Sequence, residues 1–488
     1  GTTTLTNSSS NAASLNAVAI TGTVTLDSDI TMISNSGSGT LNLGNNNYTL
    51  TLTGTGTPLA VANFNKGTGS TVVYTGSGSD TYIAAVAYHH LILDPSLTTT
   101  HHLTGNMALS GNFINNSNLS AGAYTVTFNG TGTQNLNAGD SALYNLTHSG
   151  SGILKLMHDL YINNDFTNSC GIFNANGYTV FFRGSGRQNI TSGNATFYNV
   201  TINKSSGSCV LLDAINISGD LTIASGNTLN ASGKTITLAG DWANYGTFIH
   251  GNNTVIFNNA ANISNIYNSN TFYNLACTIA GKNIVFATNT TQSVMGNMTF
   301  YGTAGNLLTL TGQSWNIWPK GSVNVNFLCV NNSHNLGPII YSMSSIFHNC
   351  IGWAQMGPRQ AEEATQGTDT INPSANTIAN NNMAAALDNL MLSNVSIASG
   401  TNLVSMVELP AAKPAPAPTA VRTIQETPVT VKEITQPIKD IVKPATTTIK
   451  MEEEDKTKAI KDKAAKDTTI VPEKRQEETE EAITLSPG

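Results

Sequence analysis

Apolar and polar residues alternate along most of the chain in short runs, as in Val24-Thr-Leu26, Tyr48-Thr-Leu-Thr-Leu52 and Thr235-Ile-Thr-Leu238. A period of two places the apolar side chains on one face and Thr or Asn on the other, which describes a half-buried strand. Threonine on the outer face keeps β propensity without adding apolar surface. Between the runs stand Asn-Gly, Ser-Gly and Gly-Asn pairs, which accept positive φ and make tight corners. Helical periodicity is almost absent before Met356. The pattern predicts short strands joined by corners, an all-β chain whose core is one side chain wide.

The runs are also repetitive. Phe128-Asn-Gly-Thr-Gly-Thr-Gln-Asn-Leu136 leads to Leu143-Tyr-Asn-Leu146, Phe182-Arg-Gly-Ser-Gly-Arg-Gln-Asn-Ile190 leads to Phe197-Tyr-Asn-Val200, and Phe257-Asn-Asn-Ala-Ala-Asn-Ile263 leads to Phe272-Tyr-Asn-Leu275. A fainter copy runs from Tyr74 to Tyr88 and a worn one from Phe286 to Tyr301. Tyr74 to Phe128 is 54 residues, Phe128 to Phe182 is again 54, and Phe182 to Phe257 is 75, longer by 21. The phrases Gly219-Asp-Leu221 and Gly240-Asp-Trp242 are themselves 21 apart, so the excess is one whole additional coil. A coil of roughly 18 to 22 residues that inserts without disturbing its neighbours suits a parallel β-helix, a solenoid whose coils touch only adjacent coils. Matching repeat positions are expected to stack in register, with Phe182 and Phe257 inward and Gly184 and Asn259 at corners.

Charge divides the chain into different materials. Charged residues make up 10 % of 488, against about 25 % in an ordinary soluble domain. Residues 1–356 hold 10 Asp, 8 Lys or Arg and no Glu, and are expected to form the β-helix shaft. Residues 410–488 open on a stiff Pro/Ala run, Pro410 to Pro418, and from Glu408 onward 15 acidic and 13 basic residues crowd 81 positions. Such a tail buries too little apolar area to offset its chain entropy and is expected to be disordered. Residues 357–409, with a short helix expected over Met383 to Leu392, read as a cap or exit segment covering the last coil.

No run of about 18 or more apolar residues exists, so no transmembrane helix is expected. The chain opens on Gly1 without a charged leader, as a mature or trimmed product would. Five scattered cysteines do not make a disulfide framework. Cys329 and Cys350, 21 apart, are spaced to stack one coil apart, and are expected to be two buried thiols in preference to a disulfide.

Units of the form aromatic-Asn-Gly-Thr-Gly-x-Gln-x-apolar, then Phe-Tyr-Asn-Leu-Thr, then Gly-Asp-apolar, resemble the β-strand-repeat proteins of environmental bacteria, relatives of the filamentous-haemagglutinin type of right-handed parallel β-helix. The resemblance covers roughly Thr23 to Trp353. It implies a right-handed parallel β-helix at a bacterial surface, and it carries no catalytic motif with it.

Candidate chemistry is sparse. Polysaccharide lyases and hydrolases use this scaffold, but they need grouped carboxylates or a poised base. Asp165, Asp220 and Asp241 each precede an apolar residue where Asn112 stands in another copy, and a place shared by Asn and Asp makes a turn hydrogen bond. A cation between stacked Asp220 and Asp241 is the sharper, less favoured reading. His89-His90 and His101-His102 read as exposed loop residues, because neighbours in a strand face opposite ways and cannot share a metal. Arg183 and Arg187 flank Gly184-Ser-Gly186 and suit a phosphate or sulfate, yet with a net charge of −7 two arginines make no nucleic-acid surface. Tyr198 and Tyr273 follow inward Phe197 and Phe272, Tyr144 stands at the matching place after Leu143, and the three form a candidate outward ladder for glycan contact. No cofactor and no metal site is expected. The combined reading is a non-enzymatic, secreted or cell-surface structural or adhesive protein that binds glycans or its own copies, with any envelope anchoring lying outside this chain. The competing class is a polysaccharide-cleaving enzyme.

Overall fold

The computed structural model describes residues 2–6, 14–94 and 99–356. Within them the chain forms 48 strands and no helix, and every strand pairing is parallel. The coil lies in a compact unit spanning Gly1–Ser399; the second unit, Gly400–Gly488, falls outside the described residues, as do the expected cap and tail.

From Thr71–Tyr74 onward strands pair with the one three places later in the chain, except at Asn118–Ser120, Thr247–Ile249, Val323–Asn326 and Ser333–Asn335, and Ile340–Ser342 pairs with Trp353–Gln355 two places later; one turn of the coil thus carries three strands and the cross-section has three faces. The first face includes Thr71–Tyr74, His90–Leu93 and Phe113–Asn115, the second Leu160–Ile162, Thr179–Phe182 and Asn199–Ile202, and the third Met107–Leu109, Thr125–Phe128 and Asn145–His148. About 17 turns stack in this way. At about 4.8 Å per turn the shaft is roughly 80 Å long.

The alternation read from the sequence is the cause of this stacking. Strand after strand shows an intermediate–buried–intermediate–buried pattern, as in Thr125–Phe128, Thr179–Phe182 and Thr254–Phe257. Inward residues meet their counterparts one coil away. On the second face Leu160, Val180, Val200, Leu221, Trp242, Ile266 and Phe286 form one unbroken column. All are buried in a single core that runs from Ile20 to Trp353. Each such side chain contributes about 1.5 to 3 kcal/mol by leaving water, so the column is the main source of cohesion between coils.

The 21-residue excess is indeed one coil: Leu221 pairs with Trp242, Ile215 with Ile236 and Thr222 with Ala243. The solenoid also begins earlier than Thr23, because Thr2–Leu5 already pairs with Thr23–Leu26. Phe182 and Phe257 are inward and fully buried, as expected.

Matching repeat positions do not stack. Tyr74, Phe128, Phe182 and Phe257 end the seventh, fifteenth, twenty-third and thirty-fourth strands. With three strands per turn, the steps of eight, eight and eleven strands are two and two-thirds, two and two-thirds, and three and two-thirds turns. Each copy therefore lands on a different face from the one before: first, third, second and first again. Phe182 stacks on Ile162 and Ile202 and does not lie in line with Phe128 or Phe257.

Candidate functional site

Each repeat carries its polar residues to one corner, and there they form a stack that runs along the coil axis. Asn145 Oδ1 accepts the backbone N–H of Asp165 at 3.0 Å, and Asp165 Oδ1 accepts that of Asn189 at 2.8 Å. In the next copy Asn199 Oδ1 accepts from Asp220 (2.8 Å), Asp220 Oδ1 from Asp241 (2.8 Å), and Asp241 Oδ1 from Asn265 (2.7 Å). Elsewhere His90 Nδ1 and Asn112 Oδ1 take the first two places beneath Asn135, both at 2.8 Å. The expected turn bonds are thus bonds between coils. They satisfy backbone N–H groups at corners, where strand pairing lapses. The inserted coil lengthens one stack from three members to four.

Beneath the corners lies a second set of polar groups. Gln134, Gln188 and Ser264 are buried just before Asn135, Asn189 and Asn265. Gln134 Nε2 donates to the carbonyls of Leu109 and Gly111 at 2.9 and 2.7 Å, and Ser264 Oγ to that of Gly240 at 2.6 Å. Lys204 donates to the Arg183 carbonyl (3.0 Å) and Gln188 Oε1 (2.8 Å), while fully buried Lys282 donates to the carbonyls of Asn262 (2.6 Å) and Ala239 (3.2 Å). Burial pushes both ammonium groups below the usual lysine range. The parity of Gln134 with Leu136, and of Gln188 with Ile190, is the sequence signal that marks these residues as inward. The lysines carry the same signal, Lys204 sharing parity with Val200 and Ile202 and Lys282 with Ile284 and Phe286, against the expectation that a lysine faces water.

The histidines are not exposed loop residues. His101 lies fully buried in the strand Thr100–Leu103, with Nδ1 2.8 Å from Ser117 Oγ. His102 stacks on Tyr82 and reaches Asp80 at 3.1 Å. His89 meets Ser110 Oγ at 2.9 Å, and burial, then His90 and Lys66, lower its pKa to about 4. Among the described residues no three His, Cys, Asp or Glu side chains are grouped to hold a metal. Arg183 is committed to the rings of Tyr161 and Phe181, 3.7 and 5.3 Å from their centroids, and Arg187 to Asn189 Oδ1 at 3.2 Å. Cys329 pairs with Ile346 rather than with Cys350, and both thiols are free and half-buried.

The three candidate tyrosines precede Asn145, Asn199 and Asn274, and so stand at three different corners, not in a ladder. Tyr144 packs against the core and Tyr273 lies against the His250 ring at 5.6 Å. Tyr198 is 42 % exposed and borders two adjoining grooves. The larger, of about 510 Å³, follows the four-member stack and is lined by Tyr198, Ser218, Asp220, Asp241, Asn262 and Ile263 among others. The smaller, of about 350 Å³, shares Tyr198 and Ser218 and extends onto the first face past Ile172 and Thr196.

Comparison of the chain with protein-family models, with curated proteins and with solved structures finds no match. The geometry alone therefore carries the functional argument. The grooves combine one exposed ring, carboxylates and amides on a rigid support, which suits recognition of a hydroxylated ligand. Among the described residues no helix is long and apolar enough to cross a membrane.

Proposed function

We propose that the chain is a non-enzymatic structural or adhesive element, secreted or held at a bacterial cell surface, that binds glycans or its own copies. The observation that supports this reading is the use made of the acids. Asp29, Asp159, Asp165, Asp213, Asp220 and Asp241 each accept a backbone N–H from an adjacent coil. The carboxylates that a glycan-cleaving enzyme would spend on proton transfer are spent here on holding the shaft together. The outer face is left to Thr, Asn and Ser, nearly uncharged and rich in hydrogen-bonding groups, which favours contacts that depend little on salt. The sequence resemblance to bacterial β-strand-repeat proteins points the same way.

The test is incubation of purified protein with a polysaccharide panel, with and without calcium, alongside a glycan array and electron microscopy. Glycan retention or regular self-association without new reducing ends or unsaturated products is expected. Catalytic release of either product would overturn the reading in favour of an enzyme.

A further inference from the structure

The repeat provides an internal comparison. One position in it is occupied by Tyr144, Tyr198 and Tyr273, and of the three it is Tyr198 that lines both of the grooves described above. The cause is the inserted coil, which extends the stack Asn199, Asp220, Asp241, Asn265 over three steps of about 4.8 Å, or about 14 Å. The wall between the members is bare because it must be glycine. A Cβ at Gly219 would stand 2.1 Å from Asn199 Oδ1, and one at Gly240 2.2 Å from Asp220 Oδ1, so neither place accepts a side chain while the stack exists. The Tyr198 ring closes one end and Ile263, 55 % exposed, the other. At the equivalent strand position the earlier copies carry Thr133 and Arg187, so an exposed isoleucine is particular to this corner.

The charge of the groove is as specific as its shape. Asp220 and Asp241 line it, and no Lys, Arg or His does. The buried Lys282 ammonium is turned to the carbonyls of Ala239 and Asn262. Asp220 uses Oδ1 for the backbone of Asp241, and among the described residues no group donates a hydrogen bond to its Oδ2. A flat ring face, an apolar rim, amides and a free carboxylate oxygen take a sugar's C–H face, its hydroxyls or an ammonium group. They reject uronate, sulfate and phosphate, which would bring like charge beside Asp220.

Resting on the glycan reading given above, we infer that this groove is a binding site for a short neutral or amine-bearing oligosaccharide that lies along the coil axis and stacks on Tyr198. The experiment is titration of the full chain with three trisaccharides: a neutral hexose trimer, a deacetylated hexosamine trimer and a uronate trimer. The wild type binds the neutral or the hexosamine trimer, and the uronate trimer at least tenfold more weakly. Tyr198→Ala weakens binding tenfold or more, Tyr198→Phe retains it, and Tyr144→Ala changes it less than twofold. Asp220→Asn keeps an Oδ1 acceptor for Asp241, as Asn199 does for Asp220, and narrows the discrimination against the uronate trimer at least threefold. Binding that survives Tyr198→Ala, or that falls equally with Tyr144→Ala, overturns the groove and leaves the adhesive reading standing. Preference for the uronate trimer overturns the charge argument, and absence of binding to all three, with the glycan array also blank, removes the glycan reading itself.

Discussion

Replacing Asp241 tests whether the corner stacks hold the coil. Its carboxylate accepts the Asn265 backbone N–H at 2.7 Å and the Asn265 side-chain amide at 3.0 and 3.1 Å, with the Tyr267 hydroxyl at 3.5 Å. A hydrogen bond to a charged group contributes about 1.5 to 3 kcal/mol. These bonds share one acceptor group and do not add, so Asp241→Ala is expected to cost about 2 to 3 kcal/mol. Asp241→Asn keeps an Oδ1 for the backbone N–H, as Asn112 does for Asn135, and is expected to cost about 1 kcal/mol. Because a solenoid opens coil by coil, a global melt blurs the effect, and amide hydrogen exchange reads it where it occurs. The Asn265 amide should lose about 30- to 140-fold in protection in Asp241→Ala, the equivalent of about 2 to 3 kcal/mol. Asn189, held by Asp165 at another corner, should not change. Equal losses for Ala and Asn, or an unchanged Asn265 amide in Asp241→Ala, would refute the assignment and leave Asp241 as an acid without structural work.

Deleting residues 221–241 removes one strand from each face, so Asp220 should then hold Asn265 as Asp165 holds Asn189, and the protein should fold one coil shorter by small-angle scattering; aggregation would contradict the three-strand turn. Burial lowers the pKa of His89, to about 4, and of His90, His101 and His148 below the ordinary 6.5, so the folded state binds fewer protons than the unfolded one; thermal melts should show stability complete above about pH 6.5 and falling toward pH 4, with a shallower fall in His89→Gln. The last coils leave Ile339, Tyr341, Ile346 and Ile351 exposed, and Ile346–His348 pairs on one side only among the described residues, so a chain ending at Met356 should aggregate, by light scattering, whereas one ending at Leu409 should melt within about 2 °C of the full chain. If the longer truncation product is the one that aggregates, residues 410–488 contribute to the fold.

Much of the coil was legible because it rests on local rules. Period-two alternation marked the strands, Gly and Asn marked the corners, and the echo of Gly219-Asp220 in Gly240-Asp241 marked the extra coil. The rotation of the repeat was not legible, because all three faces alternate inward and outward in the same way and nothing in side-chain chemistry numbers the faces. His101 shows a different limit. It shares parity with Leu103 and so belongs to the inward set, but a histidine pair is read first for its chemistry and only then for its register. Tyr144, Tyr198 and Tyr273 were found as a set, while the groove that separates one from the others depends on Gly219, Gly240 and Ile263, residues drawn from three coils.

The mismatch between repeat and turn constrains what this architecture can build. A copy of eight strands on a three-faced coil returns to its starting face only after three copies, that is 24 strands or eight turns. Whatever a copy carries outward, a tyrosine or a corner stack, is therefore displayed in a different direction by the next copy. Adding copies lengthens the shaft without widening any one surface. Adding a single 21-residue coil does the opposite: three strands restore the same face, and the stack from Asn199 to Asn265 gains one member in line. A ligand platform on this scaffold grows by coils and a shaft grows by copies, and the place where the spacing between copies grows by 21 residues is the place where the groove lies.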